Sequence, residues 1–143
     1  MTARTPLDTL AVAGGSLYGT TVQGGVAHNG SIFVLQTNGA GFAILHSFAS
    51  LTLDTAPSQN GGNEYDDYYT NSDGHWPEAG LILSGDTLYG TAQYGGAGGN
   101  GTVFKINTNG SGSKSSKHFR PWTIPRHKRR RRQSLCRFPR EHR

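Results

Sequence analysis

Residues 17–41 read LYGTTVQGGVAHNGSIFVLQTNGAG, and residues 88–112 read LYGTAQYGGAGGNGTVFKINTNGSG. The two stretches align without a gap at a displacement of 71 residues, Leu88 against Leu17. Working outward, the same displacement pairs Pro6 with Pro77, Leu10 with Leu81, Gly14 with Gly85, Phe33 with Phe104, and Thr37, Asn38 and Gly39 with Thr108, Asn109 and Gly110. An internal copy at fixed displacement is the mark of an architecture built from stacked units.

Each copy reads as short strands separated by turns. In the first, LAVA, SLYGTT, SIFVLQ and FAILHSF are β-branched or aromatic runs bounded by Gly or by Asn-Gly, the pattern of successive hairpins. The Asn-Gly pairs at Asn29-Gly30 and Asn38-Gly39, and their copies, suit tight turns that need positive φ. Ile32, Phe33, Val34 and Leu35 are apolar without alternation, so this strand must be covered on both faces. Four antiparallel strands around a doubly covered inner strand are the plan of a β-propeller blade.

The expected fold is therefore all-β, with antiparallel propeller-like blades, one complete and most of a second. The division is residues 1–50 for the first unit, 51–71 for a polar acidic insert, 72–112 for an incomplete second unit with three strands, and 113–143 for a basic tail of low order. Propellers close with about four to eight blades. Fewer than two leaves the outer faces of Ile32 to Leu35 and of Val103 to Ile106 open to edge pairing and aggregation.

Composition divides the 143-residue chain at the same place. All 21 glycines lie at or before Gly112, where two basic and eight acidic residues give a net −6; the remainder holds 12 basic residues and one acidic, a net +11. The single Cys136 excludes an intramolecular disulfide. The N-terminal residues MTARTPLDTLAVAGG lack the pattern of a secretory signal, and no stretch reaches the roughly 20 apolar residues of a bilayer span. The expectation is a soluble, unexported product.

The pattern LYGTT..GG...NG.IF.L.TNG.GF..LHSF, followed by DG..P.AGLILSG.TLYGT..YGG.GGNGTVFKI, resembles the GloVer tandem repeat. The resemblance covers most of Pro6 to Phe48 and of Ser72 to Gly112. It implies a bacterial, secreted or surface-held repeat protein with a propeller-like array, and it brings no catalytic residues. The chain departs from the pattern in beginning inside a unit, in the lengthened link SLTLDTAPSQNGGNEYDDYYTN, and after Gly112. There the counterpart of Phe42 to Phe48 should follow, but the chain reads SKSSKHF and then RHKRRRRQSLCRFPREHR. This abrupt change is what translation in another frame would produce. A rival reading is a basic arm that binds nucleic acid or other anions nonspecifically, with Trp122 and Phe138 stacking on bases.

Gly96, Gly98 and Gly101 match the glycine spacing of a dinucleotide loop, but the strand signal of Thr102, Val103 and Phe104 follows where a helix is required. Glu64, Asp66, Asp67 and Asp73, with Tyr65, Tyr68 and Tyr69, could hold calcium or stack on sugar rings, though a solvated loop is the plainer expectation. His28, His46 and His75 lack metal-ligand spacing. Asn29, Asn100 and Asn109 begin glycosylation sequons that turn chemistry already explains. Tyr18 and Tyr89 are expected in the core or between blades, and Ser16 and Ser47 lack a nucleophile elbow. The leading expectation is a non-catalytic structural or binding module with no cofactor or metal, whose partners are further repeat copies or glycans. The enzymatic alternative is part of a glycan-processing propeller.

Overall fold

The computed structural model describes residues 3–4, 9–57 and 65–118. Its strands are β1 (Ala3–Arg4), β2 (Ala11–Ala13), β3 (Ser16–Thr21), β4 (Gln23–Gly24), β5 (Ser31–Gln36), β6 (Ala43–Ser47), β7 (Thr52–Pro57), β8 (Tyr65–Thr70), β9 (Ile82–Ser84), β10 (Thr87–Ala92), β11 (Thr102–Asn107) and β12 (Lys114–His118). The described residues hold antiparallel sheets and no helix, as the composition suggests. They do not close into a barrel or a propeller.

Two four-stranded sheets dominate, in the orders β2-β3-β5-β6 and β9-β10-β11-β12. The strands of the second carry the bounds of the first displaced by 71, with Ile82 against Ala11, Thr87 against Ser16, Thr102 against Ser31 and Lys114 against Ala43. Even the irregularities coincide. The β5–β6 ladder shifts register between Ile32 and Phe33, and the β11–β12 ladder between Val103 and Phe104. A bulge is a specified feature of a sheet rather than a defect, so its recurrence marks two copies of one design.

Two glycine positions show how the sequence enforces it. Gly39, with φ +85°, closes the turn in which its amide donates to the Gln36 carbonyl at 2.8 Å. The Asn38 carboxamide oxygen accepts from the Ala40 amide at 2.9 Å. The glycine of the Asn-Gly pair thus takes the left-handed conformation while the asparagine braces the loop, which differs from a primed turn with positive φ at both residues. Gly19 pairs with Phe33 across the ladder, and Gly90 with Phe104. A Cβ at Gly19 or Gly90 would stand 2.6 or 2.5 Å from the Phe33 or Phe104 ring, so the repeated LYGT leaves room for an aromatic lying across the strand.

Two expectations are corrected. The second sheet has its fourth strand: Lys114–His118 pairs with β11, so the unit extends past Gly112 and the three-strand, incomplete second copy gives way to four strands. Ladder bonds are made by the main chain and do not require apolar side chains, which is why the polar KSSKH occupies the place of AILHS. The mismatch has a local sign. Ser115 stands where the first unit has Ile44, and its hydroxyl is buried without a partner. The acidic insert, expected as a solvated loop, forms the hairpin β7–β8, with Thr52 opposite Thr70 and Leu53 opposite Tyr69. Its alternating Thr, Leu and Tyr residues satisfy strand propensity.

One core lies between the sheets. Alternate residues of a strand face opposite sides, so the first sheet presents the row Ala11, Tyr18, Val34 with Ile32, and the second presents Leu83, Leu88, Ile106 with Phe104. These are not equivalent faces. The inner row of the second sheet corresponds, at the 71-residue displacement, to Val12, Leu17 and Leu35, which look away from the core of the first. Exposure exchanges accordingly: Leu81 is 7% exposed and its counterpart Leu10 40%, whereas Ala11 is 8% exposed and its counterpart Ile82 71%. Tyr18 is buried and Tyr89 is exposed, so the expectation of a core position holds for the first tyrosine and not the second.

Candidate functional site at the junction of the two sheets

The segment from Asn71 to Pro77 enters the second unit and fastens it to the first. Asn71 sits at the centre of the turn. Its carboxamide oxygen accepts from the amides of Gly74 at 2.8 Å and Gly96 at 2.9 Å, and its nitrogen donates to the carbonyls of Gly74 at 2.7 Å and Ala49 at 3.0 Å. Asn29 donates to the same Ala49 carbonyl at 2.6 Å. Asp73 then bridges the units. One carboxylate oxygen lies 2.8 Å from Nε2 of His46 on β6, both oxygens accept from the Ala49 amide, and its main-chain carbonyl accepts from the Thr102 hydroxyl at 2.8 Å. The carboxylate is thus committed to His46 and Ala49, and the carbonyl of the same residue to β11.

The His46 ring stands edge-on to Phe48 at 5.1 Å, and Phe48, fully buried, stands edge-on to Phe104 of the second sheet at 5.2 Å. Two further hydrogen bonds and a packing contact join the units: the Trp76 amide donates to the Asn29 carbonyl at 3.2 Å, the Thr20 hydroxyl to the Ala79 carbonyl at 3.4 Å, and buried Pro77 lies over Gly30. Trp76 holds φ +56°, an unusual conformation for a bulky residue. Its neighbours fix it there, since its carbonyl also accepts from the Gln93 amide at 3.0 Å.

His75, Trp76 and Tyr94 form an aromatic group, with centroids of His75 and Trp76 5.1 Å apart and of Trp76 and Tyr94 5.6 Å apart. Tyr94 is exposed and Trp76 half-buried. Burial holds the His75 imidazole below its usual pKa, with a backbone hydrogen bond at Asn29 acting the other way, and its Nδ1 is buried without a partner. The main-chain pairing of His75 with Tyr94 repeats that of Arg4 with Gln23, so the scaffold itself does not call for aromatic side chains here. Flat rings of this kind stack on planar or apolar ligand surfaces.

The sequence-derived candidates fall into place as follows. The loop of Gly96, Gly98 and Gly101 runs into β11 rather than a helix, and the Gly96, Gly99 and Gly101 amides are spent on Asn71, Gly96 and Gly95. Asp66 and Asp67 lie on β8, Asp73 is drawn away to the junction, and Glu64 lies outside the described residues. Tyr68 donates to Asp54 at 3.3 Å; desolvation, then the Asp54 charge and that hydrogen bond, hold its phenol above the usual range. Among the described residues no three His, Cys, Asp or Glu side chains gather as a metal site. His28 is exposed, with φ +59°.

The Asn29 carboxamide is committed inside the junction, whereas Asn100 and Asn109 are exposed and engaged by their own loops, with Gly98 and Ser111. Ser16 and Ser47 are ladder residues opposite Gln36 and Ser31. Cys136, Trp122, Phe138 and the basic run lie outside the described residues. Sequence reasoning did not single out Asn71, Thr102 or the carbonyl of Ala49 as partners at this junction.

Comparison with protein families, with curated proteins and with solved structures finds no match to this chain. Among the described residues no helix is long and apolar enough to cross a membrane.

Proposed function

We propose that the chain is a non-catalytic repeat module, two units of a longer propeller-like array of the GloVer kind, with a structural or ligand-presenting role at a bacterial surface. One observation carries this reading: counterparts such as Leu10 and Leu81, or Ala11 and Ile82, exchange burial between the two units. A pair of sheets designed to stand alone would bury the same face of each. Here opposite faces meet, the arrangement by which stacked repeats propagate, each contacting only its neighbours. The polar commitments of Asp73 and Asn71 support the structural part, because they spend the junction's carboxylate and carboxamide on joining units. The group of His75, Trp76 and Tyr94 supports the binding part.

The test extends the array. Appending a further copy of residues 48–118 places a third sheet beyond the second. The reading expects a higher unfolding midpoint with one cooperative transition, as nearest-neighbour interfaces add stability. An unchanged midpoint, or a separate transition for the added copy, would count against it.

A further inference from the structure

Among the described residues, the two sheet faces turned away from the shared core are the two halves of the interface already seen. The outer face of the first sheet carries Val12, Leu17 and Leu35, with Phe33 buried among its own neighbours, the counterparts of half-buried Leu83 and of buried Leu88, Ile106 and Phe104. The outer face of the second carries Ile82, Tyr89 and Lys105 in one cross-strand row, the counterpart of Ala11, Tyr18 and Val34. Val12 and Phe42 on the first, and Ile82 and Tyr89 on the second, are large apolar side chains open to solvent.

We propose that these faces bind a second copy of this chain head to tail, the outer face of one molecule's first sheet seating on the outer face of another molecule's second sheet. The inference rests on the repeat reading above, and the occupant follows from continuity with the internal interface. Among the described residues, side chains of the first face's kind pack, in the second sheet, on the inner face of the first sheet, and the second sheet's outer face is that inner face's counterpart. Because unlike faces meet, the contact is heterologous. It leaves one face free at each end, so assembly continues until a ring closes or a filament grows.

Lys105 is the charged discordant residue, standing where Val34 packs in the core, and Ser84 and Ser116 are polar at the positions of Ala13 and Leu45. The lysine's aliphatic stem can lie along the apolar surface while its ammonium reaches the rim, so the intermolecular contact is weaker than the internal one.

Sedimentation velocity on the full chain, at salt high enough to screen the basic C-terminal residues, tests this directly. The wild type is expected to form concentration-dependent oligomers. Val12→Glu and Ile82→Glu each block one exposed face, so each variant alone stays monomeric, whereas their mixture forms a dimer that grows no further. Lys105→Val is expected to tighten association about tenfold. A monomeric wild type, association that survives either single variant, or a mixture that stays monomeric would overturn the proposal. Hydrogen exchange on the same wild-type sample separates the two failures. A monomer with equally protected β5 and β11 amides sinks self-association alone, and a monomer without that protection sinks the repeat reading with it.

Discussion

Phe48, just beyond the last strand of the first sheet, stands edge-on to Phe104 in the middle of the second, with ring centroids 5.2 Å apart and planes at 70°. Both rings are buried, and they join the units through the core rather than through loops. Phe48→Ala is expected to cost about 3–5 kcal/mol. A double-mutant cycle with Phe104→Ala should return a coupling of about 0.5–1.5 kcal/mol beyond area burial. Denaturant unfolding measures both, and additive losses would mean that the rings act independently.

Asp73 and His46 are not equal partners. Asp73→Ala removes the partner of His46 and of the Ala49 amide together, whereas His46→Ala leaves the amide contact in place. The aspartate substitution is expected to cost about 2 kcal/mol and the histidine substitution about 1 kcal/mol or less. Equal losses in urea unfolding would show that the ion pair, and not the amide, carries the contribution.

The glycine pair offers a comparison within one molecule. A methyl at Gly90 meets Phe104 and Leu81, both held in the core, while one at Gly19 meets buried Phe33 and the exposed Leu10. Gly90→Ala is expected to destabilise by about 1–3 kcal/mol, and Gly19→Ala by less, because Leu10 and the Phe42 ring beside Phe33 are exposed and can give way toward solvent. The midpoints of the two variants in one denaturant series decide it.

His75 sets an acid limit. Its folded pKa lies below the ordinary 6.5 because burial disfavours the imidazolium. The unfolded chain therefore binds more protons than the folded one in this window. Stability is intact above the unfolded value and falls as pH drops through it toward the folded value. His75→Gln should flatten this part of the stability profile relative to wild type; parallel profiles would assign the acid limit to other groups.

Ser115 tests what replaced the last strand. It faces Phe104 across the ladder, in the place that Ile44 takes opposite Phe33. Ser115→Ile removes a buried, unpartnered hydroxyl and adds apolar area to the interface, for an expected gain of about 1–2 kcal/mol. A loss of stability would mean that the site is shaped for the serine.

Much of this was legible because local signals agreed. SLYGTT and SIFVLQ, bounded by glycine turns, marked strands whose bounds the structure repeats in both copies. Lys114–His118 was illegible because nothing in KSSKH favours a strand; the open edge of β11 recruits it through main-chain bonds alone. The β7–β8 hairpin hid behind its acidic residues, although Tyr and Thr, both strand formers, make up four of the six residues of β8. Apolar residues on both sides of SIFVLQ called for cover on both faces, and Ile32 and Phe33 are both buried, but which face the second sheet would take could not be read from residues equally apolar on each side. The junction was hidden for a related reason. Asn71 and Asp73 reach groups 22 to 29 residues away in the chain, and no periodic pattern records such bonds.

The most direct test of alternating faces compares the two tyrosines of the repeated LYGT by nitration and peptide mapping of the folded chain. Tyr18 should be spared at every protein concentration. Tyr89 should react readily in dilute solution and become protected as the protein is concentrated or when a third unit is appended. Equal reactivity of the two, or a Tyr89 that stays reactive beneath an appended unit, would contradict the account.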